Sequence, residues 1–180
     1  MRDEESLIRR AQERDQVALT QIYEENFDKI YRYIVLKIGD RAEAEDMTQQ
    51  VFLNALKSID RYKFKGMPFS AWLFRIAHNQ VVDHYRKKSR ATTVPIDDVI
   101  LPGYDNPGRD AERKMEIEEV NRATQQLTSA QREVISLRFA GELSIAEAAR
   151  VMGKSEGAIK ALQHAAIISL RKIMSAGAGP

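Results

Sequence analysis

The residues that could do chemistry in this chain lie in a loop and the helix after it, where cations stand beside aromatic rings. The loop 60–67 (DRYKFKGM) alternates the two kinds of side chain. Cations bind phosphates by releasing counterions, and aromatic faces stack unpaired bases at about 1–3 kcal/mol per base. The pattern therefore predicts a surface for single-stranded nucleic acid, and the alternative is a solvated basic face with its aromatics in the core. The candidates are Arg61, Tyr62, Lys63, Phe64 and Lys65 in the loop and Arg75, Asn79, Arg86 and Lys87 on the helix.

His78, Asp83 and His84 are the only candidates in the sequence for a catalytic or metal-binding group. His78 and His84 are six residues apart on a predicted helix, which turns their rings about 240° from each other. The chain has no cysteine, and no phosphate-binding loop, dinucleotide-binding glycine pattern or nucleophile elbow occurs in it. The sequence therefore predicts no catalytic centre, no metal site and no cofactor.

A second chemical pattern, SIAEAARVMGKSEGAIKALQHAAIISLRK, begins at Ser144. Ser144 and Glu147 have the spacing of a capping box, which starts a helix. Gly153 permits a left-handed turn, and Ser155 can cap a second helix. This order predicts a helix-turn-helix whose second helix enters a DNA major groove, with an ordinary helical hairpin as the alternative.

The elements that must position these residues are helices, because apolar residues recur at three- and four-residue steps through 16–38, 40–59 and 69–89. A shorter helix is predicted at 4–14. Prolines, glycines and acids interrupt the pattern after Arg90, and helices resume near Ala111. We predict an all-α fold of two small helical bundles, residues 1–90 and 112–176, joined by a flexible linker at 91–111 that could let them close on each other.

Composition narrows the functional classes further. Hydrophobic residues make up 43% of the chain, which is enough for a packed core. The net charge is only +2, but the charges are unevenly distributed along the chain, with basic residues at 61–90 and after 144 and acidic residues between them. Two basic surfaces on one chain favour binding to a polyanion. No apolar run approaches the roughly 18 residues of a membrane span, so we expect no membrane insertion and a cytoplasmic location.

Three stretches give the chain a specific resemblance: GDRAEAEDMTQQVFLNAL, FSAWLFRIAHNQVVDHYRKKSR and LTSAQREVISLRFAGELSIAEAARVMGKSEGAIKALQHA. They resemble, in order, conserved regions 2.2, 2.3–2.4 and 4 of ECF-type (extracytoplasmic function) bacterial sigma factors. The resemblance implies two helical domains, sigma-2 and sigma-4, that bind core RNA polymerase. It implies promoter-specific initiation, with sigma-2 melting the −10 element, sigma-4 reading the −35 element and an anti-sigma factor as a further partner.

The resemblance also assigns roles to residues. Asp46, Gln49 and Gln50 match the face that docks on the clamp helices of the polymerase, although the family usually has Glu where Gln50 stands. The loop 60–67 matches the loop that captures an unpaired base of the −10 element, and Arg75, Asn79, Arg86 and Lys87 would hold the DNA backbone there. The residues implied at the −35 element are Arg138, Lys154, Ser155, Glu156, Lys160, Gln163 and His164.

The chain departs from the family after His164. The family very often has Arg at the next position and basic residues in the following turn, where this chain has Ala165, Ile167 and Ile168. Missing cations would weaken phosphate contacts, so we hypothesise that sigma-4 relies more on partner contacts than on −35 affinity. A stand-alone regulator that uses only the helix-turn-helix remains the competing interpretation.

Overall fold

The structure of the chain, a computed structural model, describes residues 2–91 and 119–177, and these residues form helices and loops without a strand. The first half (residues 2–91) contains α1 (Arg2–Gln12), α2 (Gln16–Ile38), α3 (Arg41–Ser58), a 3-10 turn (Ile59–Arg61) and α4 (Phe69–Ala91). The second half (residues 119–177) contains a helix over 119–125, here α5, then α6 (Ser129–Ile135), a π-helical turn (Ser136–Ala140), α7 (Ile145–Met152) and α8 (Glu156–Gly177). The all-α prediction is confirmed, whereas the predicted linker after Ala91 and the predicted resumption of helix near Ala111 lie outside the described residues.

Local capping explains where the helices of the first half begin and end. The Asp15 carboxylate accepts a hydrogen bond from the Val17 N–H at the start of α2. Gly39 ends α2 with a φ of 81°, a left-handed conformation that glycine adopts without steric cost. Asp40 then accepts from the Glu43 N–H and starts α3. Gly39 and Asp40 therefore set the boundary between the predicted helices 16–38 and 40–59, and the structure confirms both helices.

The second half follows the same logic around its turn. Ser144 and Glu147 form the predicted capping box at the start of α7. Gly153 ends α7 with a φ of 63°, and the Ser155 hydroxyl accepts from the Ala158 N–H within the first turn of α8. A second capping box, between Thr128 and Gln131, starts α6. The predicted helix-turn-helix geometry is present.

The two halves pack directly against each other, which the sequence suggests only as a possibility. α4 lies against α7, and α2 lies against the π-helical turn. The Phe74 ring meets Tyr33 edge-on, with ring centroids 5.5 Å apart. It also lies so close to Gly141 that a Cβ there would come within 2.7 Å of the ring. Phe74 is 1% exposed and belongs to one apolar core that continues through both halves.

Candidate nucleic-acid and polymerase interfaces

The basic-aromatic loop places its two rings in different environments. Tyr62 is only 6% exposed, and its Oη donates a hydrogen bond to the Met67 carbonyl at 2.8 Å. Its ring packs between Phe69 and Trp72, with centroids 5.4 and 5.3 Å away. Phe64 is 37% exposed and meets the Tyr62 ring edge-on. Phe64 is therefore the loop ring that is open to solvent, and the buried Tyr62 ring packs against it.

The charged residues of the loop and of α4 divide in a similar way. Arg61, Lys63 and Lys65 are exposed around Phe64. Asn79, Arg86 and Lys87 are exposed along α4, where they form one open face. Arg75 is exposed but turns towards the second half, because its Nη1 donates to the Arg150 carbonyl at 3.3 Å. The predicted −10 residues thus lie in two exposed places, the cations around Phe64 and the face of α4, whereas Arg75 contacts α7 and Tyr62 is buried.

The acidic-amide face of α3 lies open beside an apolar groove. Asp46, Gln49 and Gln50 are all exposed, and Gln50 donates to Asn54 Oδ1 at 3.0 Å. The groove lies between α2 and α3, has a volume of about 310 Å³ and includes Gln49 in its wall. Leu53, also in that wall, is 50% exposed. An apolar groove with a polar rim fits a protein helix better than it fits a phosphate backbone.

The exposed face of α8 carries most of the predicted −35 residues. Lys154, Ser155, Glu156, Lys160 and His164 are all exposed. Ala165 is exposed beside His164, and Ile168 is 41% exposed on the same face one turn further on. Ala165 and Ile168 therefore lie on the outer surface of α8, where their effect on DNA affinity can be measured, whereas Ile167 is half-buried and packs against the core.

Two of the predicted −35 residues have partners inside the second half. The Arg138 Nε donates to Gln163 Oε1 at 2.8 Å, and its Nη1 donates to the Leu143 carbonyl. Both side chains are half-buried. This arrangement braces the π-helical turn against α8 and leaves Arg138 less free to reach a phosphate.

The loop of the first half and the turn of the second half face one another. They share a cleft of about 850 Å³, which is lined on one side by Tyr62, Phe64, Gly66 and Met67 and on the other by Ala149, Arg150, Lys154, Ser155 and Glu156. The predicted −10 loop and the predicted start of the −35 helix are therefore neighbours in this conformation.

A buried polar cluster joins the two halves, and the sequence gives no indication of it. We call Tyr33, Lys37, His78 and Glu133 the Glu133 cluster. Glu133 of α6 accepts from the Tyr33 Oη at 2.7 Å, lies 3.0 Å from His78 Nδ1 and lies 2.5 Å from Lys37 Nζ. The Glu133 and Lys37 side chains are 7% and 10% exposed. The three partners come from α2 and α4, so this one carboxylate gathers groups from two helices of the other half.

Burial and hydrogen bonding act in opposite directions on Glu133. Burial raises the pKa of its carboxyl, but hydrogen bonds from His78 and Tyr33 and the charge of Lys37 outweigh burial and lower the pKa to about 2. Burial also raises the pKa of Tyr33 well above its usual value, with the Glu133 charge adding to the effect. Tyr33 therefore stays protonated and remains a donor to an ionised carboxylate.

Further polar contacts surround this cluster. The Ser70 Oγ donates to Glu147 Oε1 at 2.6 Å, and the exposed Glu142 carboxylate lies 3.5 Å from Lys29 Nζ and 3.6 Å from Arg32 Nη2. Burial raises the pKa of Glu147, but hydrogen bonds from Ser70 and Ser144 outweigh burial, so the pKa lies below its usual value. Each of these pairs joins the first half to the second.

The two histidines considered for metal binding have separate partners. His78 contacts Glu133, whereas the His84 Nδ1 lies 3.4 Å from Glu43 Oε1 on α3. Within residues 2–91 and 119–177, no group of three or more His, Cys, Asp or Glu side chains could hold a metal ion. None of the helices in those ranges is long and apolar enough to cross a membrane.

Comparison with known proteins gives consistent matches. Family models for sigma-70 region 2 and sigma-70 region 4 match residues 22–91 and 123–172. The ECF RNA polymerase sigma factor BldN of Streptomyces coelicolor is 36% identical over 93% of this chain, which spans 64% of the length of BldN. The ECF RNA polymerase sigma factor ShbA of Streptomyces griseus is 31% identical, with 96% of this chain and 98% of ShbA covered.

A solved structure of CnrH in complex with the cytosolic domain of CnrY matches in three dimensions. The TM-score is 0.73 and the sequence identity is 26%, with 94% of this chain and 96% of that chain covered. The match includes both halves of the chain described above.

Proposed function

The chain belongs to the ECF RNA polymerase sigma factors, and from that membership we propose that it binds core RNA polymerase and directs promoter-specific initiation by −10 melting and −35 recognition. The observation that best supports the proposal is the presence of three separate exposed surfaces in one chain. They are the acidic-amide face of α3, the Phe64 loop with the open face of α4, and the exposed face of α8. A regulator that used only a helix-turn-helix would need just the last of them.

The polymerase contact is assigned to α3 and its groove. Asp46, Gln49 and Gln50 offer carboxylate and amide groups, and the groove beside them exposes Leu53 and Tyr23. A clamp helix with an apolar stripe and basic flanks would bury the groove and pair with Asp46. DNA would be repelled by the carboxylates of this face.

The −10 contact is assigned to the loop and to the open face of α4. Unpairing and unstacking a base costs a few kcal/mol, and stacking on an aromatic ring returns about 1–3 kcal/mol. Phe64 offers the exposed ring for this stacking, and Tyr62 positions it. Asn79, Arg86 and Lys87 would hold the backbone of the captured strand, so strand opening is driven by tighter binding of the unpaired state.

The −35 contact is assigned to the exposed face of α8. Lys154 and Ser155 of the turn, together with Glu156 at the start of α8, would enter the major groove, and Lys160 and His164 continue the same face. Arg138 contributes indirectly by holding Gln163 and the π-helical turn. Neither DNA contact involves a chemical step by this chain, so the polymerase carries out the catalysis.

Promoter binding requires the two halves to separate. Positions −35 and −10 are about 25 base pairs apart, which is about 85 Å of B-form duplex. The two DNA-reading surfaces instead share a single cleft in the present conformation. The predicted linker 91–111, if fully extended, spans about 70 Å, and that length added to the dimensions of the two halves would let both surfaces reach their elements at once.

The family membership also implies control by an anti-sigma factor and a cytoplasmic location beside the polymerase and the chromosome. The complex of CnrH with the cytosolic domain of CnrY supports a partner of this kind, because CnrH resembles the present chain in both halves. An occupant of the α3 groove would compete directly with the polymerase.

Run-off transcription tests the proposal. Sigma-free core polymerase is mixed with the purified chain and genomic fragments, and start sites are mapped. We expect promoter-specific starts that are lost with Asp46→Arg and retained with the exposed-site control Glu24→Gln. Sequence-specific binding of the chain to duplex DNA without polymerase, together with no initiation, would instead support a stand-alone regulator.

A further inference from the structure

The contact between the two halves points to an autoinhibitory latch. We propose that Glu133, held by Tyr33, Lys37 and His78, locks the free chain in the closed conformation, so that the chain must be opened before it can read a promoter. The inference rests on the proposed function. It adds the element that controls when the two DNA-reading surfaces become available.

The geometry sets this contact apart from ordinary surface pairing. One carboxylate receives Tyr33 and Lys37 from α2 and His78 from α4, at 2.5–3.0 Å. Glu133 is 5% exposed, and Lys37 and Tyr33 are also shielded from water. Every partner belongs to the other half, so the cluster can form only when the halves are closed.

The closed conformation occupies a residue that the resemblance assigns to the −10 element and keeps the two DNA-reading surfaces together. Arg75 contacts the Arg150 carbonyl of α7, and the Ser70–Glu147 hydrogen bond also holds α4 against α7. The Phe64 loop faces the turn before α8 across the shared cleft. Neither DNA-reading surface is blocked completely, but in the closed conformation the two surfaces cannot bind promoter elements that lie about 85 Å apart on a duplex.

A charged latch suits a contact that must also release. Burying the ions costs solvation free energy, and opening the contact returns them to water. The net stabilisation of the closed state is therefore smaller than the number of contacts suggests, although the contacts to Glu133 form in only one arrangement of the two halves. Because the pKa of Glu133 is about 2, the carboxylate stays ionised at neutral pH and acidification is not the release signal. A partner that binds the open state more tightly must supply the free energy of opening.

The experiment measures the distance between the halves directly. The chain has no cysteine of its own, so Lys57→Cys on α3 and Ser175→Cys on α8, both at exposed positions, accept spin labels selectively. Double electron–electron resonance on the otherwise unchanged chain should give a single distribution of short distances between the two spin labels. Glu133→Gln keeps the side-chain shape but removes the charge. It should add a longer population and shift the closed-to-open ratio by about tenfold, whereas Glu24→Gln at an exposed site should change nothing.

Promoter binding by the complex with core polymerase provides the functional readout, because the α3 face is exposed in the closed state whereas the two DNA-reading surfaces need the open state. The apparent dissociation constant of that complex for promoter DNA equals the intrinsic one divided by the open fraction. Glu133→Gln should then bind promoter DNA in that complex more tightly, by up to about tenfold, and reach half-maximal run-off at a lower chain concentration. Circular dichroism checks that each variant is helical. Should Glu133→Gln fail to fold, the double variant Ser70→Ala, Arg32→Ala removes two other contacts between the halves without altering either core, and it should shift both readouts in the same direction.

The outcomes separate the two proposals. A folded Glu133→Gln chain with an unchanged distance distribution and an unchanged promoter affinity would overturn the latch, even if the chain directs initiation. If the variant opens in the distance measurement but the chain fails to direct initiation by core polymerase, the proposed function is contradicted and the latch is left as a property of the fold. Opening together with tighter promoter binding supports both.

Discussion

The Glu133 cluster and the exposed face of α8 use the same kinds of side chain in opposite environments. Lys37 and His78 lie against a carboxylate at the contact between the halves, and Lys37 is 10% exposed. Lys160 and His164 lie open on α8. A buried cation is satisfied by a partner within the chain and is expensive to leave alone, whereas an exposed cation is satisfied by water and counterions until DNA arrives. The comparison indicates that the first set controls conformation and the second set controls affinity.

The largest expected difference comes from removing one lysine from each region. Lys37→Met leaves the Glu133 charge buried with fewer partners, which should lower the free energy of unfolding by about 3–5 kcal/mol. Lys160→Met should change it by no more than about 0.5 kcal/mol. Urea denaturation at pH 7 measures both values. Equal stability of the two variants would mean that Lys37 is solvated in solution, and the comparison would fail.

The two loop rings offer a second test of burial against exposure. Tyr62→Ala removes a ring that is 6% exposed, and it should cost about 3 kcal/mol or more of stability. Phe64→Ala removes a ring that is 37% exposed and should cost less than about 1 kcal/mol. Thermal unfolding measures these losses. Permanganate reactivity of the −10 strand in the polymerase complex should fall in Phe64→Ala at concentrations where the variant is fully folded. If strand opening is unaffected, Phe64 is not the stacking ring.

Acid should weaken the buried region selectively. The folded pKa of Glu133, about 2, lies below its usual 4.5. The carboxylate therefore stabilises the closed fold above about pH 4.5, and that stabilisation is lost as the pH falls towards 2. The full contribution is about 3 kcal/mol. Urea denaturation between pH 7 and pH 2.5 should show the difference in stability between the unsubstituted chain and Glu133→Gln shrinking in this window.

Other acidic groups also change the stability in the same pH range, so the effect of Glu133 can be isolated only by comparison with Glu133→Gln. The pKa of Glu147 and that of Asp15 are also lowered, by hydrogen bonds from Ser70 and Arg10 among other causes that outweigh burial. Both groups remain in Glu133→Gln and cancel in the difference. Parallel stability curves for the two proteins would show that the Glu133 charge is not protected in solution.

The contrast between the regions also explains what the sequence could predict. Gly39, Asp40, Ser144 and Gly153 act on residues next to them, so helix ends and the helix-turn-helix follow from local pattern. Glu133 acts on Tyr33, 100 residues away, and no local pattern connects them. α6 has only 7 residues, too few for its period to show that a charged side chain lies on the buried side.

The same reasoning applies to the rings and to the joint between the halves. The alternation of cations and aromatics in 60–67 identifies the loop, but it does not tell which ring faces inwards. The spacing of apolar residues in α4 predicts a core stripe of Phe69, Trp72, Leu73, Ile76 and Ala77. Phe74 falls outside that stripe because it packs on the second half and not on α2 and α3 alone. The core of each half was therefore predictable from periodicity, whereas the surface that joins them depends on long-range packing.

The smallest expected effect tests the exposed region where it departs from its family. Ala165→Arg adds a cation beside His164 on the open face of α8 without burying a charge, so stability should change by less than about 0.5 kcal/mol. A gel-shift titration with a −35 duplex, chosen from mapped start sites, should show tighter binding and a salt slope steeper by about 0.9, the value of one additional phosphate contact. Thr20→Arg, an exposed site on α2, adds the same charge and serves as the control. If Ala165→Arg leaves both affinity and slope unchanged, this turn of α8 does not approach the DNA backbone. The hypothesis that the missing cations make the second half rely more on partner contacts than on −35 affinity would then fail, because a restored cation would gain nothing at the DNA.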